Sequence, residues 1–163
     1  MRVLVGGVGY RYQRDLSLGL VLVDRLKGAA WPAGVQVEVE DWGYGPIGIL
    51  HALGERPAYD RIVLVSGVDR ERRPGGIYQY AWSTALPSDE EVQERVTEAA
   101  SGVIHVDNLL VIGTYFKRFP ADVDVIEVEP VESSWGEPLS EAVEALVPDL
   151  IARLRRLVGQ GEA

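Results

Sequence analysis

The sequence predicts an α/β domain: a mostly parallel, twisted sheet of about five strands with helices on both faces. Strand and helix signals alternate from end to end, the order that places crossover helices over a parallel sheet. The strand candidates at 3–8 and 61–66 are continuous apolar runs, as strands covered on both faces must be. The 163 residues, 47% of them apolar, show no repeat, low-complexity stretch or linker that would divide them, so residues 1–163 read as one domain.

The elements follow in order. Residues 3–8 form an apolar strand closed by Gly9. A helical stripe over 17–26, carried by Leu18, Val21, Leu22 and Leu26, stops at Gly28. Residues 35–40 alternate strictly between apolar and polar, which predicts a strand near an edge with one wetter face. Gly45-Pro46 opens a short helix over 47–53, and 61–66 is the clearest central strand. A further strand at 77–81 follows the turn at 73–76. Ser88, with Glu91 three residues on, is a capping box that starts a helix running to about Ala100. Residues 103–112 are apolar enough for either element and are read as helix; 123–128 read as strand. A long C-terminal stripe from Leu139 to Leu157 contains Pro148, which must kink or restart its helix.

Composition removes much chemistry. With no cysteine there is no disulfide, thiol nucleophile, thiolate-bound zinc or iron–sulfur cluster, and two histidines exclude a three-histidine metal site within the chain. Sixteen Lys and Arg against 25 Asp and Glu give a net charge of −9, which argues against nucleic acid as a partner. No apolar run is long enough for a membrane span and no targeting segment stands out, so the expected location is cytoplasmic.

In open parallel sheets ligands bind beyond the carboxyl ends of the strands, which directs attention to 9–15, 41–45 and 66–73. Gly7-Val8-Gly9 begins like a dinucleotide fingerprint, but the third glycine position holds Tyr12 and the required acid is not where it should be. No phosphate loop or nucleophile elbow is present.

A different set of motifs fits in order along almost the whole chain. Gly7-Val8-Gly9, then Asp15 and Gly19, resembles the G-x-G-N-x-L-x-x-D-[DE]-x-x-G opening of the hydrogenase maturation endopeptidases. Asp41-Trp42-Gly43-Tyr44-Gly45 resembles their D-G-G-T-x-G turn, and Pro74-Gly75 their P-G after the third strand. Ser101 to His105 resembles their S-x-H stretch, with Asn108-Leu109 where G-L is usual. Glu129-Pro130, Gly136 and Leu139-Ser140 resemble the E-P…G-L-S segment before the last helix.

The resemblance implies a peptidase that removes the C-terminal tail of the nickel–iron hydrogenase large subunit, recognising nickel already inserted there through two carboxylates and a histidine. Carried over residue by residue, His105 is the surviving metal ligand, whereas Leu16 and Ser66 stand where the carboxylates belong and Tyr10 replaces the asparagine. Leucine offers no lone pair, and a single imidazole holds a divalent ion poorly. The expectation is therefore a divergent or catalytically impaired member of that family. No cofactor is expected to be stably bound, and nickel enters only through the substrate or a rearranged site. Such a site would use Asp15, Asp69 and His105 as a shifted triad. Asp41 and Asp15 are the candidate catalytic carboxylates.

The expected partner is a hydrogenase large-subunit precursor or a similar peptide tail. It would be held on a rim of Tyr10, Arg11, Tyr12, Arg14, Trp42, Tyr44, Asp69 and Arg70, because aromatic and arginine side chains anchor interfaces. Arg72 and Arg73 lie in the same loops. The alternative is a small-molecule or anion-binding α/β module without protease activity. Plainer roles stand beside these: His105 as a satisfied, partly buried histidine, Asp15 or Ser17 as caps of the first helix, His51 as a structural or surface group, Asp89-Glu90-Glu91 as a solvated helix start, and Arg153, Arg155 and Arg156 as complements to the last helix dipole.

Overall fold

A computed structural model describes residues 1–160. Its strands are β1 (Arg2–Val8), β2 (Gln36–Asp41), β3 (Arg61–Gly67), β4 (Ile77–Ala81) and β5 (Asp122–Val128). They form one sheet in the order β2-β1-β3-β5-β4, parallel except for β4, which pairs antiparallel with β5. The helices are α1 (Leu18–Leu26), entered through a 3-10 turn at Arg14–Ser17, α2 (Pro46–Gly54), α3 (Asp89–Ala100), α4 (Val106–Tyr115), α5 (Glu141–Glu144) and α6 (Val147–Gly159).

Side-chain alternation sorts the strands into two cores. Val3, Val5, Val63, Val65, Ile126 and Val128 face α1 and α6, meeting Leu18, Leu22, Leu150 and Leu154. Leu4, Ile62, Leu64, Val123 and Val125 face the opposite way, against Ile49 and Leu53 of α2 and Leu109 and Leu110 of α4. Apolar strands covered on both faces and helices on both sides are the predicted architecture, and β2, the alternating strand, is an edge.

Local signals act as their chemistry requires. The Ser88 hydroxyl accepts from Glu91 N at 3.2 Å at the start of α3. Pro148 sits in the first turn of α6, so the C-terminal stripe divides into the single turn of α5 and a restarted α6. The ambiguous apolar stretch is helical, but α4 starts at Val106 because Gly102, at φ 97°, ends the turn after α3 and His105 caps the new helix.

Backbone packs directly on backbone where α1 crosses the sheet. A Cβ on Gly7 would collide with the carbonyl of Gly19, and one on Gly19 with the carbonyls of Val65 and Val8. Gly19→Ala should therefore cost about 3 kcal/mol in urea denaturation, because neither backbone can retreat. Gly28→Ala, with φ 77° but open space around it, should cost only about 1 kcal/mol.

Candidate functional site

The site lies at the carboxyl ends of β1 and β3, where the loop of residues 9–17 settles onto the strand ends. Two glycines permit that descent. A Cβ on Gly9 (φ 153°) would strike the carbonyl of Leu16, and one on Gly67 would strike that of Asp15. Tyr10 N donates to Leu16 O at 3.3 Å and closes the loop. From the other side α4 presents its first turn, and Ile104 N donates to the Tyr10 hydroxyl at 2.8 Å.

Between them is a cavity of about 150 Å³ whose lining includes Tyr10, Leu16, Ser66, Asp69 and His105. The three positions that the family resemblance assigns to metal recognition are thus brought together. Their chemistry does not suit a metal. Leu16 contributes only carbon, and the Ser66 hydroxyl donates to Val8 O at 2.9 Å. His105 is the N-cap of α4, and its Nδ1 accepts from Asp107 N at 3.1 Å. A neutral imidazole accepting at Nδ1 carries its proton on Nε2, so neither nitrogen presents a free lone pair to an ion. The donor set does not fit nickel.

The other candidate carboxylates are aimed elsewhere. Asp15 is buried, and its oxygens accept from Val131 N (2.9 Å), Glu132 N (2.8 Å), Ser140 N (2.7 Å) and the Ser140 hydroxyl (2.8 Å). It does not line the cavity with His105 and does not cap α1; it fastens the first loop to the loop between β5 and α5. The Ser17 hydroxyl, the other proposed cap, donates back to Arg14 O at 2.6 Å. Asp41 accepts from Gly43 N at 2.8 Å and pairs with Arg11 across the surface, outside the cavity. Asp69 lines the cavity, but its Oδ1 accepts from Glu71 N at 3.2 Å. Among the described residues no three His, Asp or Glu side chains are grouped to hold a metal ion, so the shifted triad of Asp15, Asp69 and His105 does not assemble.

The rim is smaller than expected. Tyr10, Arg11, Tyr12, Arg14 and Tyr44 keep part of their surface in solvent. Trp42 does not: it is 1% exposed, stacked on Phe119 at 6.2 Å, with its indole N–H on Glu40 at 2.9 Å. Gly6 opens the slot it fills, since a Cβ there would lie 2.9 Å from the Trp42 ring. Its place is taken by Trp135, 77% exposed, whose ring is tilted against Tyr12 at 5.7 Å. Sequence reasoning missed Trp135, although a lone tryptophan between serines and a glycine in a polar loop is the signal that marks it. Tyr12 and Arg14 sit at φ 64° and 42°, each a left-handed conformation costing about 1–3 kcal/mol unless its surroundings impose it. The Asp15 bonds, with Arg14 N on Gly136 O (3.0 Å) and Gly136 N on Tyr12 O (2.7 Å), impose it.

No protein-family model matches the chain, and no curated protein matches it. Solved structures do. An endopeptidase from Escherichia coli superposes with a TM-score of 0.68 at 22% identity, covering 100% of this chain and 95% of that one. The hydrogenase-maturating endopeptidase HybD from E. coli gives 0.66 at 22% identity, covering 99% and 94%. A hydrogenase 2 maturation peptidase from a Thaumarchaeota archaeon gives 0.65 at 23% identity, covering 98% and 99%. The chain shares their fold. Among the described residues no helix is long and apolar enough to cross a membrane.

Arg70, expected on the rim, stays exposed there, with its guanidinium engaged by acids. Its guanidinium holds Glu127 at 2.8 and 2.9 Å and Asp107 at 2.7 and 3.0 Å, while Arg72 binds Glu127 (2.8 Å) and Glu129 (2.9 Å). The Tyr80 hydroxyl donates to Glu127 at 2.8 Å. Burial pushes the Glu127 carboxyl up, but Arg70, Tyr80 and Arg72 outweigh it and hold the group below its ordinary range. Asp107 is likewise held low, with burial outweighed by Arg70.

Two predictions follow from these contacts. Asp15→Ala leaves three backbone N–H groups without their acceptor and should lower stability by about 3 kcal/mol in urea denaturation. Arg70→Gln leaves Glu127, which is 1% exposed, to Arg72 and Tyr80 alone and should cost about 2 kcal/mol at pH 7. A carboxylate with a depressed native pKa stabilises above its unfolded value, so the gap between wild type and Arg70→Gln should narrow as pH falls below 4.5, the ordinary glutamate value.

Proposed function

We propose that this protein is a divergent relative of the hydrogenase maturation peptidases that binds a protein or peptide tail, that of a hydrogenase large-subunit precursor or a similar one, without metal-guided cleavage. The observation that carries the reading is the cavity in which Leu16 and Ser66 stand at the two positions where the resemblance implies carboxylates, beside His105. What remains is a small, mostly apolar recess with one imidazole N–H donor, suited to receiving a side chain rather than an ion. The Tyr12–Trp135 plate beside it supplies rigid aromatic area of the kind that dominates peptide and protein interfaces. Its strained, multiply bonded loops keep that plate ordered before a partner arrives.

The direct test is incubation with a nickel-loaded hydrogenase precursor. A complex should form on a sizing column while the tail stays attached. Tail removal that disappears in His105→Ala would overturn the reading. Trp135→Ala and Tyr12→Ala should each weaken tail binding about tenfold, measured by fluorescence anisotropy, with little change in thermal stability.

A further inference from the structure

Next to the cavity at His105 is a second hollow of about 360 Å³, formed where the segment joining β4 to α3 arches over α3 and α4. Its apolar walls are Trp82, Leu86, Pro87 and Val111, and its polar ones include Arg95 and Asp107. The arch is built, not slack. Trp82 N donates to Val123 O at 2.8 Å, its indole N–H donates to Thr114 Oγ1 at 2.9 Å, and Ser88 caps α3 at the other end. Leu86 is nevertheless 45% exposed, an apolar side chain at the mouth of an apolar recess.

The first turn of α4 separates the two hollows. His105 lines one and Asp107 the other, and the two side chains are 3.7 Å apart. An extended chain advances about 3.3 Å per residue, so a peptide seated at His105 reaches the second hollow within a few residues.

Charge selects the occupant. Helix α3 carries Asp89, Glu90, Glu91, Glu94 and Glu98 against Arg95 alone. Glu91 and Arg95 also line the adjoining depression, together with Glu90, Glu94 and Glu98, so the apolar recess opens beside a negatively charged surface. A low-dielectric recess bordered by one sign of charge attracts the opposite sign and repels its own.

We infer that this hollow takes one large apolar side chain of a bound peptide whose neighbouring residues are lysine or arginine. The inference rests on the peptide-binding reading given above and adds a side-chain preference to it.

A random peptide library displayed on phage, selected against the full chain, tests it. The selected peptides should pair a large apolar residue with adjacent Lys or Arg. A synthetic copy should bind at least about tenfold more weakly to Leu86→Glu, and likewise to Glu90→Lys/Glu94→Lys, with circular dichroism unchanged. Selected peptides that bind Leu86→Glu normally and lose affinity only for Trp135→Ala would overturn the inference and leave the proposed function standing. Failure to select any peptide overturns both. A dimer in sedimentation that Leu86→Glu disperses would assign the hollow to a second copy of the chain and overturn the inference as well.

Discussion

The arrangement depends on backbone lying directly against backbone. Three close approaches, Gly7 on Gly19, Gly9 on Leu16 and Gly67 on Asp15, leave no volume for a Cβ. The first sets α1 tight against the sheet, and the other two lower the 9–17 loop onto the ends of β1 and β3. Only because that loop lies so low does Leu16 meet Ser66 and His105 across a space of side-chain size. A loop raised by one methyl group would open the cavity to solvent and move Tyr12 and Arg14 away from the 131–136 segment that holds their left-handed conformations.

Charge is organised by the same geometry. The arginines after β3 look like a surface cluster in the sequence, yet Arg70 and Arg72 bind Glu127 and Glu129 and lock the strand ends together. Buried charges of this kind contribute little net stability when paired and are costly when one partner is lost, so the cluster fixes position more than it adds strength. Asp107 extends it to the start of α4 and thereby sets where His105 stands. In the 9–17 loop Arg11 is shared between Asp24 and Asp41, and Arg14 reaches Glu132.

Most of the architecture was legible in the sequence because period and punctuation are local properties. Apolar runs, the capping box at Ser88 and the break at Pro148 each act within a few residues, and each has its structural counterpart. The grouping of positions 16, 66 and 105 was legible through ordered motifs. Side-chain direction was not. Trp42 reads as a rim aromatic until Gly6, on the neighbouring strand, is seen to leave a slot for its ring. Asp15 reads as a helix cap or a catalytic acid until its acceptors' partners appear at 131, 132 and 140. Arg70 reads as a free rim cation until Glu127 lies beside it. In each case the deciding partner is distant in sequence, and no periodicity encodes it.

The Asp15 bonds span 116 to 125 positions of chain. Contacts between such distant positions carry a high loop-closure cost and form only when the intervening strands already hold the two segments side by side. The loop that carries Tyr12 therefore depends on the sheet that brings residues 131–140 beside it. Ser140, which closes that set of bonds, stands between Leu139 and Val143 of the core under α1 and α6, so the loop and that core are joined through it. One buried carboxylate thus ties the loop that carries Tyr12 to the loop that carries Trp135, so a change at either end is felt at the other.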